Sequence, residues 1–354
     1  MPRAPDHVYD LSLSIPEARG LWEPAGVYVN TASYGLPPKP AWDALQAALA
    51  DWHGGRTSWE HWGDAAEDAR ASFARLIGLP VERVAIGPTV SDLLSTAVTA
   101  LPDGAKVVAP DIDFTSALFP FLVQERLDVR TVPLERLAEA TADGADAVVF
   151  SAVQMASGEV ADVDAVLAAA RARDAWTFCD ATQAIPWLPL DGSRFDAVVC
   201  HAYKWLMSPR GTAFLAVSDR MLASAVPQSA GWYAGEDIHA TYFSPPLRLA
   251  QSARRFDTSP AWFSWAGTGP ALAVVEQLGV EAIHAHNVGL ANRFRAGVGL
   301  EPSNSAIVSV DHPGAMDKLA AAGIVGAERG GRLRMSWHVY NDADDVDRAL
   351  TALA

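Results

Sequence analysis

The sequence predicts an α/β fold: a mostly parallel sheet with helices on both faces, followed by a smaller α+β unit. Three observations lead there. Short apolar runs alternate with helix-like periodicities from Val84 to Val217. That alternation stops after about Met221. It resumes at Ala306 as strand, helix, strand, helix.

The elements follow in order. Val84-Ala85-Ile86 is an apolar run closed by Gly87-Pro88, which reads as a strand. Ser91 to Leu101 predicts a helix, because Leu93, Leu94, Ala97, Val98 and Leu101 recur at helical spacing. Lys106 to Ala109, ended by Pro110, is the next strand, and Val129 to Val132 and Ala147 to Phe150 come after it. Asp162 to Arg173 predicts a helix, then Trp176 to Cys179, Asp196 to Cys200 and Gly211 to Val217 predict strands. Ala223 to Pro260 is rich in Gly, Pro, Ser and aromatic residues and weakly periodic, which predicts a long functional loop or a domain connection. Gly269 to Leu278 predicts a helix. The smaller unit comprises strand Ile307 to Val310, helix Ala315 to Ala322, strand Arg332 to Trp337 and helix Asp342 to Ala352. Asn341 is the expected cap of that last helix, with Asp342, Asp344 and Asp345 favoured in its first turn.

Composition narrows the function classes. With 354 residues, half of them apolar, the chain can bury a sizeable core in one or two domains. A formal charge of −15 argues against non-specific nucleic-acid binding and against docking on an anionic membrane. The two cysteines, Cys179 and Cys200, lie in apolar runs, which suits a reducing compartment. Met1 to Tyr9 has no apolar core of signal-peptide length, and no run reaches the roughly 18 apolar residues of a spanning helix. A cytoplasmic protein is expected. His53 and His61 are too far apart for a helical metal pair, and His284 and His286 fall on different faces, so no metal site is expected. The Gly-x-Ser-x-Gly elbow of serine hydrolases and the Gly-x-Gly-x-x-Gly of dinucleotide binders are both absent.

The chemistry concentrates between Phe178 and Gly211. Asp180 ends one apolar strand, and Lys204 stands just past the next, within His201-Ala202-Tyr203-Lys204-Trp205. Sites in open α/β sheets form outside the carboxyl ends of the strands, so both can face one crevice. A lysine between aromatic rings is partly desolvated, which lowers its pKa and supplies the neutral amine a Schiff base needs. An aspartate is the partner that a pyridinium nitrogen requires. Either residue alone would ordinarily be a solvated lysine and a helix-capping aspartate. Gly87-Pro88-Thr89-Val90-Ser91 precedes a helix, where backbone amides and two hydroxyls favour an anion.

This ordered set resembles the class V aminotransferase family of pyridoxal-phosphate enzymes (fold type I), which includes kynureninases, cysteine desulfurases, isopenicillin-epimerase-like proteins and C–S lyases. The likeness runs from about Val27 to the end and is strongest at Asp180–Gly211. It implies a large domain with a mostly parallel seven-stranded sheet and a smaller α+β domain. It implies pyridoxal phosphate bound covalently to Lys204, with Asp180 on the ring nitrogen and Gln183 near the phenolic oxygen. Thr89 and Val90 would serve the phosphate, as would His201 and Tyr203. Phe114 would stack on the ring and Gln154, an amide where the family often has Asn, would lie beside it. Ser259 or Thr258, in Phe256-Asp257-Thr258-Ser259-Pro260, would reach a partner subunit's phosphate, so a homodimer with shared sites is implied. Arg334, within Arg332 to Asn341, would clamp the substrate carboxylate together with the segment around Ala32 and Ser33. On a strand Arg332 and Arg334 share a face, so either could take that role. Tyr34, Trp59, Trp62, Trp232, Tyr233, His239, Tyr242 and Trp262 are expected pocket-lining rings.

The domains expected are an N-terminal arm (1–25), a large cofactor-binding domain (26–245) and a small C-terminal domain (246–354) that includes part of the arm. The substrate expected is an amino acid or a derivative of one, and the leading activity is aminotransfer. A C–S or kynureninase-like lyase and an epimerase are alternatives, and a non-catalytic binding protein is the alternative from another class. A desulfurase is disfavoured, because Gly323 to Gly331 lacks the reactive cysteine it would need.

Overall fold

The computed structural model describes residues 13–354 of the chain. The central sheet has seven strands: β2 (Val84–Gly87), β3 (Lys106–Pro110), β4 (Asp128–Val132), β5 (Ala147–Ser151), β6 (Trp176–Asp180), β7 (Ala197–His201) and β8 (Ala213–Val217). A short β1 (Val27–Tyr28) precedes them. The spatial order is β2-β8-β7-β6-β5-β3-β4. Only β8 runs against its neighbours, β2 and β7; the other pairs are parallel. The fold-class expectation is met. The inner strands were legible because their residues are buried on both faces, as in β5, β7 and β8, where every position is buried, whereas the edge strand β4 is largely exposed. The register places Ser151 beside Asp180, and His201 closes the next strand. The strand ends therefore open onto one crevice.

Three long helices are additions to the expected elements: Lys39–His53, Trp59–Leu76 and Val280–Gly297. The helix expected to begin at Gly269 begins at Trp262 and runs to Leu278. It packs on the first two, and Trp265 meets Phe214 of β8. Gly267, Gly269 and Pro270 obscure its start in the sequence, because their propensities disfavour a helix that burial nevertheless stabilises. The 223–260 region is irregular, with short 3₁₀ turns such as Trp232–Ala234 and Ala253–Phe256.

A second sheet, ordered β11-β12-β9, comprises β9 (Ile307–Val310), β11 (Ala327–Arg329) and β12 (Arg332–Ser336). β10 (Ile324–Val325) pairs in parallel with β1, and Asn30 bridges to Ser336. Val27 and Val29 thus share a core with Phe294, Met335 and Trp337. This pairing carries Ala32 and Ser33 towards β12. The cap of the last helix, Ala343–Leu353, is Asp342 and not Asn341. Asn341 is drawn away because its amide donates to the Tyr28 carbonyl and accepts from the His338 N–H. No helix among the described residues is long and apolar enough to cross a membrane.

Two fully buried charges tie the parts together. Arg70, on helix Trp59–Leu76, donates to both carboxylate oxygens of Asp257 at 3.1 and 2.6 Å and to the Val84 carbonyl at 2.7 Å. Asp257 in turn accepts from the Ile86 N–H at 2.8 Å. Burial alone would lower the Arg70 pKa, but Asp257 and Glu67 hold it above its ordinary value. The pair fixes the loop at 256–260 to β2, the strand that leads into Thr89.

We propose the arm, large and small domains as the working division; residues 1–12 of the arm lie outside the described residues. Arg70→Met leaves Asp257 as a buried, uncompensated carboxylate. It is expected to cost about 3–5 kcal/mol of unfolding free energy, measured by denaturant titration.

Candidate active site

The crevice at the strand ends encloses about 160 Å³. Thr89, Val90, Phe114, Asp180, Gln183, His201, Tyr203 and Lys204 all line it. Eight of the sequence-derived residues therefore converge from separate segments of the chain.

Lys204 is buried, and loss of hydration pushes its amine down to about 8, against an upward pull from Asp180. Its Nζ lies 5.3 Å from the Phe114 ring centroid and 5.7 Å from that of Tyr203. Asp180 is buried at the end of β6, where burial raises its pKa. The Thr182 N–H donates to Asp180 Oδ1 at 2.8 Å and, with Lys204, favours its anion. Gln183 is mostly committed: its Oε1 accepts from Trp205 Nε1 at 2.7 Å, and its Nε2 donates to the Ala32 carbonyl at 3.0 Å. One Nε2 hydrogen remains for the cavity. Trp205 is fixed further by His338, whose Nε2 donates to the Trp205 carbonyl at 2.9 Å. The backbone of Lys204 is fixed by Gly35, whose N–H donates to the Tyr203 carbonyl at 3.0 Å. A Cβ on Gly35 would collide with the Lys204 carbonyl oxygen.

Thr89 caps helix Val90–Ala97 by accepting from the Asp92 N–H at 3.1 Å, which leaves the first-turn amides facing the cavity end. The His201 ring stands edge-on to Tyr203, 4.4 Å between centroids. Burial pushes it down to about 3, so it is neutral, and its Nε2 is buried without a protein partner. Phe114 sits at the mouth, 37% exposed. Asp113 holds its loop by accepting from the Phe114 and Ser151 backbone N–H groups, both at 2.7 Å. Gln154 is buried, with neither amide atom partnered, and does not line the cavity itself.

Arg334 and Arg332 differ in burial and partners. Arg332 is exposed and hydrogen-bonds Ser309, whereas Arg334 is 1% exposed. Arg334 donates to the Met155 carbonyl at 2.8 Å and to Ser33 Oγ at 2.6 Å, and its Nε has no protein partner. Met155 lines the cavity, so the guanidinium lies directly behind its wall. Burial, with Arg329 nearby, pushes Arg334 down to about 10. A buried cation without a carboxylate is costly unless an anion arrives.

Ser259, expected at a partner subunit's phosphate, is exposed and stands apart from this chain's cavity lining. None of the eight expected pocket-lining rings lines it either. Trp59 instead packs on Trp232, His239 and Trp262 at 5.1 to 5.5 Å, and Tyr242 lies 5.1 Å from Trp232. These rings satisfy one another in the 223–262 segment. Conversely, Ser116, Ser151, Met155, Thr182 and Arg210 line the cavity without having been singled out. Ser151 could have been read from the end of its strand; Arg210 could not, because only the turn after Lys204 brings it back.

A family model for class-V aminotransferases matches residues 37–313, which include Asp180 and Lys204. The chain belongs to the class-V aminotransferase family. Its cofactor is pyridoxal phosphate, and it is an enzyme. An uncharacterised aminotransferase, YcbU, of Bacillus subtilis is 26% identical over 326 residues, 84% of this chain and 85% of that protein. A kynureninase of Deinococcus radiodurans is 28% identical over 290 residues, 76% and 70% of the two chains. A cystine C–S lyase, C-DES, superposes with a TM-score of 0.83 at 19% identity, covering 95% and 98%. The last likeness concerns the fold alone.

The residues present fit the cofactor. Its requirements are an amine, a carboxylate for the ring nitrogen, an anion cradle and neutral donors around the ring. Lys204, Asp180, the helix at Val90 and the unpartnered groups of His201 and Gln154 supply chemistry of those kinds.

Two outcomes are expected. Cofactor incorporation requires neutral Lys204, so its rate in apoprotein rises with pH through a midpoint near 8, not near the ordinary lysine value of 10.5; stopped-flow absorbance across pH 6.5–10 reads it, with the range chosen to bracket about two units. Gly35→Ala displaces the Lys204 backbone and slows that incorporation about tenfold or more, since small misplacements of a reacting group are costly.

Proposed function

We propose that this enzyme transfers the amino group of an amino acid through Lys204, as an aminotransferase. The observation that supports this most is the buried Arg334, which pairs with no carboxylate among the described residues and is bonded to Met155 of the wall of the cavity that holds Lys204 and Asp180. An anion and an amine can be presented there together, as an α-amino acid presents them. Resemblance to a Bacillus aminotransferase adds to it.

Bound in the cavity, pyridoxal phosphate supplies a carbonyl that captures amines and a ring that accepts an electron pair. Everything else falls to the chain. Arg334 binds the substrate carboxylate through its free Nε edge, with Ser33 and the Ala32 segment completing the clamp. This fixes which bond at the α-carbon faces the ring. Lys204 Nζ, near neutrality, takes the α-proton and returns it elsewhere. Asp180 would hold a proton on the ring nitrogen, with the Thr182 N–H favouring its carboxylate against the upward push of burial. Thr89, Val90, His201 and Tyr203 would hold the phosphate, Phe114 would cover the ring, and Gln154, behind the lining, would offer its unpartnered amide toward the ring. Gln183 positions Ala32 and Trp205 and offers its last N–H to the ring oxygen.

A kynureninase-like lyase is the second reading, favoured by the Deinococcus relative. Desulfuration is disfavoured, since Cys179 and Cys200 are buried and burial raises both thiols. We further propose a cytoplasmic homodimer in which Ser259 and Thr258 complete the partner's phosphate site. Ile112, Phe114, Phe119, Leu122 and Val123, exposed apolar side chains on and flanking helix Thr115–Leu122, support it as the kind of surface a partner covers. Sedimentation equilibrium at twice the chain mass is expected; a monomer would remove this part.

The loaded protein is mixed with a panel of amino acids while its cofactor absorbance and the products are followed. Conversion of the cofactor to its amine form, with release of a 2-oxo acid, is the expected result. Ammonia or alanine released without that conversion would favour the lyase. Lys204→Ala and Asp180→Asn are each expected to lower turnover by about 10²–10⁴-fold. A protein that binds no cofactor at all would sink the reading.

A further inference from the structure

Beside Arg334 lies a second guanidinium that the mechanism leaves unused. Arg329 ends β11 and faces Arg332 across a two-residue turn, Gly330-Gly331. Both glycines have positive φ, 58° and 74°, the geometry of the tight hairpin turn that matches strand twist. The hairpin therefore holds Arg329 in a defined register instead of on a free loop. Residues of opposed pairs alternate together, so Arg329, Arg332 and Arg334 share one face while Glu328 points to the other.

Among the described residues, every hydrogen bond of these three guanidiniums ends on a neutral oxygen. Arg329 donates to the Glu328 carbonyl at 2.7 Å and to Ser33 Oγ at 3.0 Å. Arg334 donates to the same Ser33 Oγ, to Met155 and to Asn30. Arg332 turns aside to Ser309. Two cations thus meet at one hydroxyl behind the cavity wall, each raising the cost of the other. One substrate carboxylate neutralises one of them. Arg334, fully buried with a free Nε, is the partner for that carboxylate. Arg329, half-buried beside it, is left with its charge unanswered.

We propose that Arg329 is a specificity-determining residue that binds a second acidic group, so the substrate is an amino acid carrying an acid on its side chain. The inference rests on reading the Lys204 cavity as an amino-acid site, and it goes further by naming the substrate class. Arg329 is matched in reach to Ser33, the residue it shares with Arg334, so a short side chain spans the two.

Amine-free acids test it without turnover. Protein supplied with pyridoxal phosphate is titrated calorimetrically with succinate and glutarate, and with propionate and butyrate as their single-acid counterparts. The better diacid is expected to bind about ten- to a hundredfold more tightly than its counterpart, the worth of one charge-assisted pair. Arg329→Met removes that ratio and leaves single-acid affinity unchanged; Arg329→Lys restores part of it. Arg332→Met, across the turn, changes neither. Equal weakening of both acids in Arg329→Met would overturn the proposal, because Arg329 would then serve the same carboxylate as Arg334. So would a wild-type ratio near one, or an effect of Arg332→Met equal to that of Arg329→Met. The cofactor absorbance, read in the same samples, reports separately on the underlying reading, and the acid titrations stand whether or not that band forms.

Discussion

Burial of an amine and a carboxylate in one crevice is the constraint on which the site depends. Lys204 and Asp180 both lie at sheet-strand ends that the core closes from below. Water is too scarce there to solvate two ions fully. Lys204 answers by losing basicity, and burial pushes Asp180 up while Thr182 and Lys204 favour its anion. The chemistry follows from that balance. An amine near neutrality can attack a carbonyl and later carry a proton, and a held anion can keep a ring nitrogen protonated. Neither group would behave so on the surface.

The surroundings of the crevice are built to keep it from relaxing. Gly35 presses on the backbone of Lys204, Gln183 links Ala32 to Trp205, and His338 locks Trp205 from behind. Asp113 plays the same part for the Phe114 loop by bonding to Ser151 at the end of β5. Farther out, Arg70 and Asp257 join a helix, the edge of β2 and the 256–260 loop through one buried ion pair. Such a pair is weak evidence for stability in itself, yet it is a strong device for register, because only one arrangement satisfies both charges.

Charge in the carboxylate region runs the other way. There the chain places cations against neutral oxygens and leaves them unpaired. Arg334 and Arg329 repel, and burial taxes Arg334 further. A site that is unfavourable when empty and favourable when an acid enters spends its electrostatics on recognition, not on the fold. The chain's negative net charge gives no hint of this. Local fields in a crevice are set by the nearest groups.

Most of the sheet was legible in the sequence because its inner strands are buried on both faces and therefore read as apolar runs, whereas the exposed edge strand Asp128–Val132 carries only alternate apolar residues. Lys204, Asp180 and Thr89 were legible because each stands at or just past an element end, where chain order alone predicts exposure to the crevice, whereas Arg334, in the middle of β12, was singled out only by the resemblance. Helix Trp262–Leu278 was only half visible, since its small residues and proline are explained by close packing on two other helices. The cap of the last helix shifted to Asp342 because a distant carbonyl, that of Tyr28, claimed Asn341. Gln154, His338 and Arg329 gain meaning only from neighbours far away in the chain. Sequence periodicity alone thus determined the fold class, and the resemblance carried by the Asp180–Gly211 run pointed to the cofactor and to Lys204 as its proposed anchor. Tertiary structure alone decided which arginine is buried, which rings stay outside the cavity and which polar atoms lack partners. Those depend on long-range packing, which sets desolvation and pairing residue by residue and leaves no local pattern to read.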